Sequence, residues 1–187
     1  MNRKLRALLF VTVFVGTIFY SFNKTKANVL FEAINAGNEA RAVEIVKAHP
    51  GYIGKTYAVR HGKGDDAYWV DGGETGLHAA ARAGMDQLVA AMVAAKKVDI
   101  NVKDKQGRTP MYLAAVLGVK GNPDKVVAAL IAAGADIDQG KPGLTLVNEV
   151  LQRKRTAVAR QLVDAGAKTT PADLEELAKL EKAAEAD

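Results

Sequence analysis

The sequence predicts an all-α solenoid of about four stacked helix pairs, with a β-hairpin-like finger insertion near its start and a capping helix at its end. Three observations predict it. The stretch Thr75-Gly76-Leu77-His78-Ala79-Ala80-Ala81-Arg82-Ala83-Gly84 recurs thirty-four residues later as Thr109-Pro110-Met111-Tyr112-Leu113-Ala114-Ala115-Val116-Leu117-Gly118. A period of that size belongs to arrays of small units that cannot bury their apolar faces alone. Each copy is followed by apolar residues at three- and four-residue spacing, Leu88, Val89, Met92 and Val93, then Val126, Val127, Leu130 and Ile131. That spacing puts one face of a second helix against its neighbour. Each unit then closes on a polar turn, Val98-Asp99-Ile100-Asn101 or Gly134-Ala135-Asp136.

The elements follow in order. Residues 1–27 read as a targeting segment: Arg3, Lys4 and Arg6 precede an apolar run from Ala7 to Phe22, broken only by Thr12, Gly16, Thr17 and Ser21. At roughly 1.5 Å per residue the run spans about 24 Å, short of a hydrocarbon core of about 30 Å. Thr25-Lys26-Ala27 offers small residues for cleavage before Asn28, whereas Lys24 and Lys26 suit a retained anchor. Both readings keep the basic end cytoplasmic and export the rest.

The array occupies residues 28–168. Repeat one shows Leu30, Ala33, Ile34 and Gly37, then Val43, Ile45 and Val46. In repeats two and three Thr75 and Thr109 stand where a side-chain oxygen caps the first helix, and Pro110 suits a first helical position. The paired alanines let neighbouring helices approach closely, and Gly84 and Gly118 are expected to end the first helices in left-handed geometry. Repeat four is degraded to Gly143, Thr145 and Val147, then Leu162, Val163 and Gly166-Ala167. Residues 169–187 hold the capping helix: Thr170-Pro171-Ala172-Asp173 starts it, and Leu174, Leu177 and Leu180 form its apolar stripe.

Two segments break the period. Residues 52–70 exceed a standard turn, and Tyr57–His61, Gly62-Lys63-Gly64 and Asp65–Val70 read as a hairpin with a glycine-rich tip. Residues 119–124 lengthen the connection inside repeat three, and Gly121-Asn122-Pro123-Asp124 reads as a turn and helix start with a structural role.

On these residues the chain resembles the ankyrin-repeat family, whose pattern runs through a turn glycine, Thr-Pro-Leu-His, a small pair, Gly, a second helix and Gly-Ala-Asp. Repeat two matches at Gly73, Thr75, Leu77, His78, Ala80, Ala81 and Gly84, and repeat three at Gly107, Thr109, Pro110, Ala114, Ala115 and Gly118. The resemblance implies a binding module in which His78 hydrogen-bonds backbone between repeats and the insertion prolongs one of the fingers beside the concave groove.

Charge and composition exclude several other classes. The formal charge of +5 belongs to Arg3, Lys4, Arg6, Lys24 and Lys26, and from Asn28 onward 21 basic residues face 21 acidic ones. The body thus carries no excess positive charge for nucleic acid. With no cysteine there is no disulfide framework, thiolate metal site or cysteine nucleophile. Gly62-Lys63-Gly64-Asp65 lacks the spacing and Lys-Ser/Thr ending of a phosphate loop. His61 lies near Asp65 and Asp66, but a hairpin tip is a poor place to preorganise a metal or acid–base site. The expectation is a non-enzyme without cofactor or metal.

The candidate partner-binding residues are Tyr57, Arg60, His61, Asp65, Asp66, Tyr68 and Trp69 in the insertion, with Arg82, Lys105, Arg108 and Tyr112 on the array. Beyond residue 27 the aromatics are Phe31, Tyr52, Tyr57, Tyr68, Trp69 and Tyr112, and four of these six lie in the insertion. Trp, Tyr and Arg dominate interface energetics. An ankyrin array behind an export leader resembles, by architecture alone, the immunity proteins that protect bacteria from their own type VI secretion phospholipase effectors. That resemblance implies a periplasmic inhibitor of a secreted effector, soluble or held in the inner membrane through residues 7–22. A membrane-anchored periplasmic scaffold or stress-protection protein is the alternative.

Overall fold

The computed structural model describes residues 29–61, 68–118, 120–140 and 143–185, and for residues 57–61 and 68–71 it describes the backbone. The leader, residues 1–27, lies outside the described residues. Helix α1 covers residues 29–35 and α2 Glu39–Ala48. A single 3-10 turn, Pro50–Tyr52, leads into strands β1 (Thr56–His61) and β2 (Tyr68–Thr75). Then come α3 (Gly76–Arg82), α4 (Asp86–Ala94), α5 (Pro110–Tyr112, continuing as a π-helical stretch Leu113–Leu117) and α6 (Pro123–Ala132). Helices α7 (Leu146–Leu151), α8 (Thr156–Asp164) and α9 (Pro171–Ala184) complete the chain.

The helices form two layers. In the outer layer α2 packs on α4, α4 on α6 and α6 on α8; in the inner layer α3 packs on α5, and the π stretch on α7. Helix α9 closes the stack against α7 and α8. One continuous apolar core runs through the pairs, and Ala80, Ala81, Ala114 and Ala115 are wholly buried where the helices meet most closely. Full burial of a leucine such as Leu88 or Leu130 contributes about 2–3 kcal/mol. In α9, Leu177 is buried and Leu180 packs partly against the core, but Leu174 is 46% exposed. Of the expected three-leucine stripe, Leu177 is therefore buried, Leu180 half-buried and Leu174 exposed.

Threonine starts each inner helix after the first. Thr109 Oγ1 accepts from Tyr112 N at 3.2 Å, Thr145 Oγ1 from Asn148 N at 2.9 Å, and Thr170 Oγ1 from Asp173 N at 3.2 Å. Thr75 and His78 form the corresponding capping box of α3. The third helical residue of α3, α5 and α7 then reaches the following unit. His78 Nε2 bonds Arg108 O at 3.0 Å, Tyr112 Oη donates to Glu149 Oε2 at 2.8 Å, and Asn148 Nδ2 donates to Asp173 Oδ1 at 2.8 Å. Three side chains of different chemistry thus perform one task, joining a helix cap to its neighbour through buried polar contacts. Such bonds are costly to leave half-made, which fixes the stacking register.

The end of α5 departs from expectation. Gly118 has φ −67 and is not left-handed; glycine is needed there because a Cβ would lie 2.7 Å from Ala114 O. The π stretch frees carbonyls that Arg155 collects: its Nη1 donates to Ala114 O at 2.8 Å and to Ala115 O at 2.6 Å. Burial pushes this guanidinium below its ordinary value, and the charge of Asp124 opposes the shift. The left-handed residue moves into the 119–124 insertion, at Gly121 (φ 61), which abuts Gly84 (φ 68). A Cβ on either would overlap backbone of the other segment, and Asn122 N donates to Gly84 O at 2.8 Å. The insertion is thereby locked onto the preceding repeat.

Candidate functional site

The break after repeat one folds as an antiparallel hairpin. Its register pairs His61 with Tyr68, Arg60 with Trp69, Val59 with Val70 and Ala58 with Asp71, then slips between Thr56 and Ala58 so that Thr56 meets Thr75. The second strand continues to Thr75, past the expected end at Val70. Gly72 and Gly73 therefore belong to the strand, and the slip opposite them absorbs the bend. At its base Ile53 is wholly buried, and Ile53 O accepts from Gly76 N at 3.0 Å.

The neighbouring finger braces the hairpin. Lys105 N donates to Gly72 O at 3.0 Å, and Gly73 has φ +71 with its missing Cβ only 3.0 Å from Lys105 N. Only glycine satisfies both the backbone angle and the approach. Asp104, whose side chain is fully buried, shapes that finger by accepting from Gln106 N at 2.9 Å, Arg108 N at 2.9 Å and Arg108 Nε at 2.7 Å. Glu74 links three elements, pairing with Arg82 at 2.9 Å and Arg108 at 3.3 Å. The hairpin base, α3 and the second finger thus share one charge network beside the inner helices.

The sequence-predicted residues divide accordingly. Tyr57, Arg60 and His61 lie on β1, and Tyr68 and Trp69 on β2. Asp65 and Asp66 fall outside the described residues, as does the tip of the hairpin. Lys105 is exposed on the second finger, while Arg82 and Arg108 are held by Glu74. Tyr112 is a correction: it is 6% exposed and its hydroxyl is bonded to buried Glu149, so it belongs to the core and not to the surface. Burial, then the Glu149 hydrogen bond, pushes its phenol up to about 12. Glu74 and Asp104 escaped the sequence reading, although Asp104 and Arg108 stand four residues apart inside a finger.

His78 is structural. Its Nδ1 accepts from Thr75 N at 3.1 Å, and since a backbone N–H can only donate, the ring is the neutral tautomer with its proton on Nε2, given to Arg108 O. Burial is the main cause of its lowered pKa. Among the described residues no group of three or more His, Cys, Asp and Glu is placed to hold a metal, and no helix is long and apolar enough to cross a membrane. The His61, Asp65 and Asp66 combination includes positions outside them.

The stacked helix pairs and their fingers are those of a repeat solenoid. A family model described as Ankyrin repeats (3 copies) matches residues 30–141 and 77–173, and the chain belongs to the ankyrin-repeat family. Ankyrin repeats mark a protein–protein interaction module, generally non-catalytic. Comparison with curated proteins gave no match.

Proposed function

We propose that the chain is a non-catalytic array whose protein partner seats on the finger side, with the hairpin as the dominant contact. One observation carries this reading: the break in the period forms a hairpin braced through Gly72 and Lys105, on strands that hold Tyr57, Arg60, Tyr68 and Trp69. Bracing limits the ordering cost of binding, and aromatic and arginine anchors supply most interface energy. The leader over residues 1–27 supports action in a bacterial periplasm as an immunity-type inhibitor of a toxic effector, such as a type VI secretion phospholipase. Lys24 and Lys26 beside the cleavage site favour a second reading, a membrane-anchored scaffold or stress-protection protein.

The test is capture of the partner by crosslinking and mass spectrometry with the native chain and with Tyr57, Arg60, Tyr68 and Trp69 jointly replaced by Ala. Loss of at least two hot-spot contacts should lower affinity by more than about 100-fold while circular dichroism stays unchanged. Equal capture by both chains sinks the hairpin reading. N-terminal sequencing of the exported protein separates the two finer readings, since a cleaved leader leaves Asn28 first.

A further inference from the structure

The hairpin leaves one of its edges open. Strands β1 and β2 form a two-stranded sheet, and among the described residues β1 pairs with β2 alone. The outer edge of β2 is met by the second finger, whose Lys105 N donates to Gly72 O. The hairpin is the first finger of the array, so β1 has no finger beside it. Natural edge strands are blunted by lysine, proline, a bulge or a cover. The stretch Ala58-Val59-Arg60-His61 holds neither lysine nor proline, and the slip in register lies before it.

Main-chain alternation sets which groups that edge offers. Successive residues of a strand direct their N–H and C=O to opposite sides. Gly72 turns its carbonyl to the second finger and away from β1. Asp71 and Trp69 therefore face β1 and bond Ala58 and Arg60, their partners in register. Val59 and His61 alternate with these, so each directs a donor and an acceptor to the open side. Charge then selects among occupants. Between Gly54 and His61 the chain carries Lys55 and Arg60 and no carboxylate. Asp71, diagonal to Arg60 in the register, offsets part of one charge, and Glu74 is held by Arg82 and Arg108. Two copies of β1 laid edge to edge would set like charges together, which disfavours self-pairing.

We infer that an extended segment of the partner protein, free of basic residues, adds to β1 as a third strand through the main-chain groups of Val59 and His61. Strand addition draws its affinity from main-chain bonds and leaves selectivity to the flanking side chains. The inference deepens the hairpin reading above and rests on it: the open edge takes the partner's backbone, and Tyr57, Arg60, Tyr68 and Trp69 take its side chains.

A peptide tests it without the partner. In the full chain, labelled with nitrogen-15, the Val59 and His61 amides should exchange with water at least about tenfold faster than those of Ala58 and Arg60. The chain is then titrated with an acetylated and amidated seven-residue peptide of alternating threonine and glutamate. The Val59 and His61 amide signals should shift saturably, with a dissociation constant on the order of 5 mM for main-chain pairing alone. A peptide with lysine in place of glutamate should bind about threefold more weakly. Val59→Pro removes one outward N–H and keeps every anchor side chain, so it should weaken the peptide by about tenfold or more while Ala58 and Arg60 stay protected. Val59→Thr, which keeps the N–H, should bind within about twofold of the native chain. Val59 and His61 amides already protected in the free chain show an edge that the chain itself covers, and signals that move with protein concentration show a second copy on it. Either result overturns the inference, as do signals unmoved at about 50 mM peptide, equal binding of the two peptides, or unchanged binding by Val59→Pro. Such a failure leaves the hairpin reading to its own alanine test, which removes side chains and not main-chain groups.

Discussion

Replacing His78 by Asn separates the two tasks of the imidazole. The shorter side chain still offers an oxygen to Thr75 N, but it does not reach Arg108 O, which His78 Nε2 meets at 3.0 Å. Arg108 O keeps its bond from Asp104 N at 3.0 Å, so losing the His78 bond costs about 0.5–1.5 kcal/mol, and the lost ring volume adds about 1 kcal/mol of cavity cost at a site with no exposure. The expected loss is therefore about 1.5–2.5 kcal/mol in urea unfolding near neutral pH. The pH dependence gives a second readout. Burial is the main cause that lowers the folded pKa of His78 from 6.5, with the Arg108 carbonyl opposing. Below 6.5 the unfolded chain takes up a proton that the folded chain refuses, so this part of the stability is complete above 6.5 and drains as pH falls towards the depressed folded value. The slope cannot exceed about 1.4 kcal/mol per pH unit. Protonation would also turn Nδ1 into a donor facing the Thr75 N–H, breaking the capping box. His78→Asn should remove this slope between about pH 7.5 and about pH 5.5. A variant within about 0.5 kcal/mol of the native chain, or one with the same slope, refutes the cross-repeat role.

Two further predictions concern the array. Asp173 accepts from Thr170 N, Asn148 Nδ2 and Thr145 Oγ1, and although burial pushes its carboxyl up, these bonds prevail and hold it below 3.8. Asp173→Asn turns an acceptor into a donor facing donors, so hydrogen exchange should show α9 opening more easily by about 2 kcal/mol; in the native chain this support is present above pH 3.8 and lost as pH falls below it. Lys96 has φ 49 at the helix end where the next two units place Gly134 (φ 79) and Gly166 (φ 86), and all three donate equivalent N–H bonds to the preceding turn. Lys96→Gly should therefore stabilise the chain by about 0.5–1 kcal/mol in thermal unfolding, and a destabilised variant would show that the lysine side chain contributes more than its backbone strain costs.

The helix pairs and their caps were legible because a threonine, a first-turn proline and the spacing of apolar residues act locally. The same phase that places His78 inside places Tyr112 inside, thirty-four residues on; reading Tyr112 as surface gave weight to its residue type over its position. Its partner Glu149 lies 37 residues away, and no local pattern announces such a pair. The strand end at Thr75 was hidden because Gly72-Gly73 resembles a turn, yet a slip in register lets the strand carry both glycines. The geometry of Gly118 was hidden for a related reason. The π stretch moves the helix end, and the guanidinium that stabilises it comes from Arg155 in the following repeat.

The three cross-repeat bonds also determine how damage spreads. In an array whose units touch only their neighbours, stability is a sum of unit and interface contributions, and a weakened end opens by itself. Helix α9 is joined through Asp173 to repeat four and through the Arg160–Glu181 ion pair to α8, with Leu177 its wholly buried anchor. The hairpin is braced at the other end, by Glu74, Lys105 and the buried turn at Ile53. Loss of the cap should therefore leave the hairpin intact. Asp173→Asn should free α9 and leave partner capture at its native level, whereas His78→Asn, which cuts the stack between the hairpin-bearing unit and its neighbour, should weaken both. If α9 and the hairpin respond together to Asp173→Asn, the array behaves as one cooperative body, and the nearest-neighbour account of its stability fails.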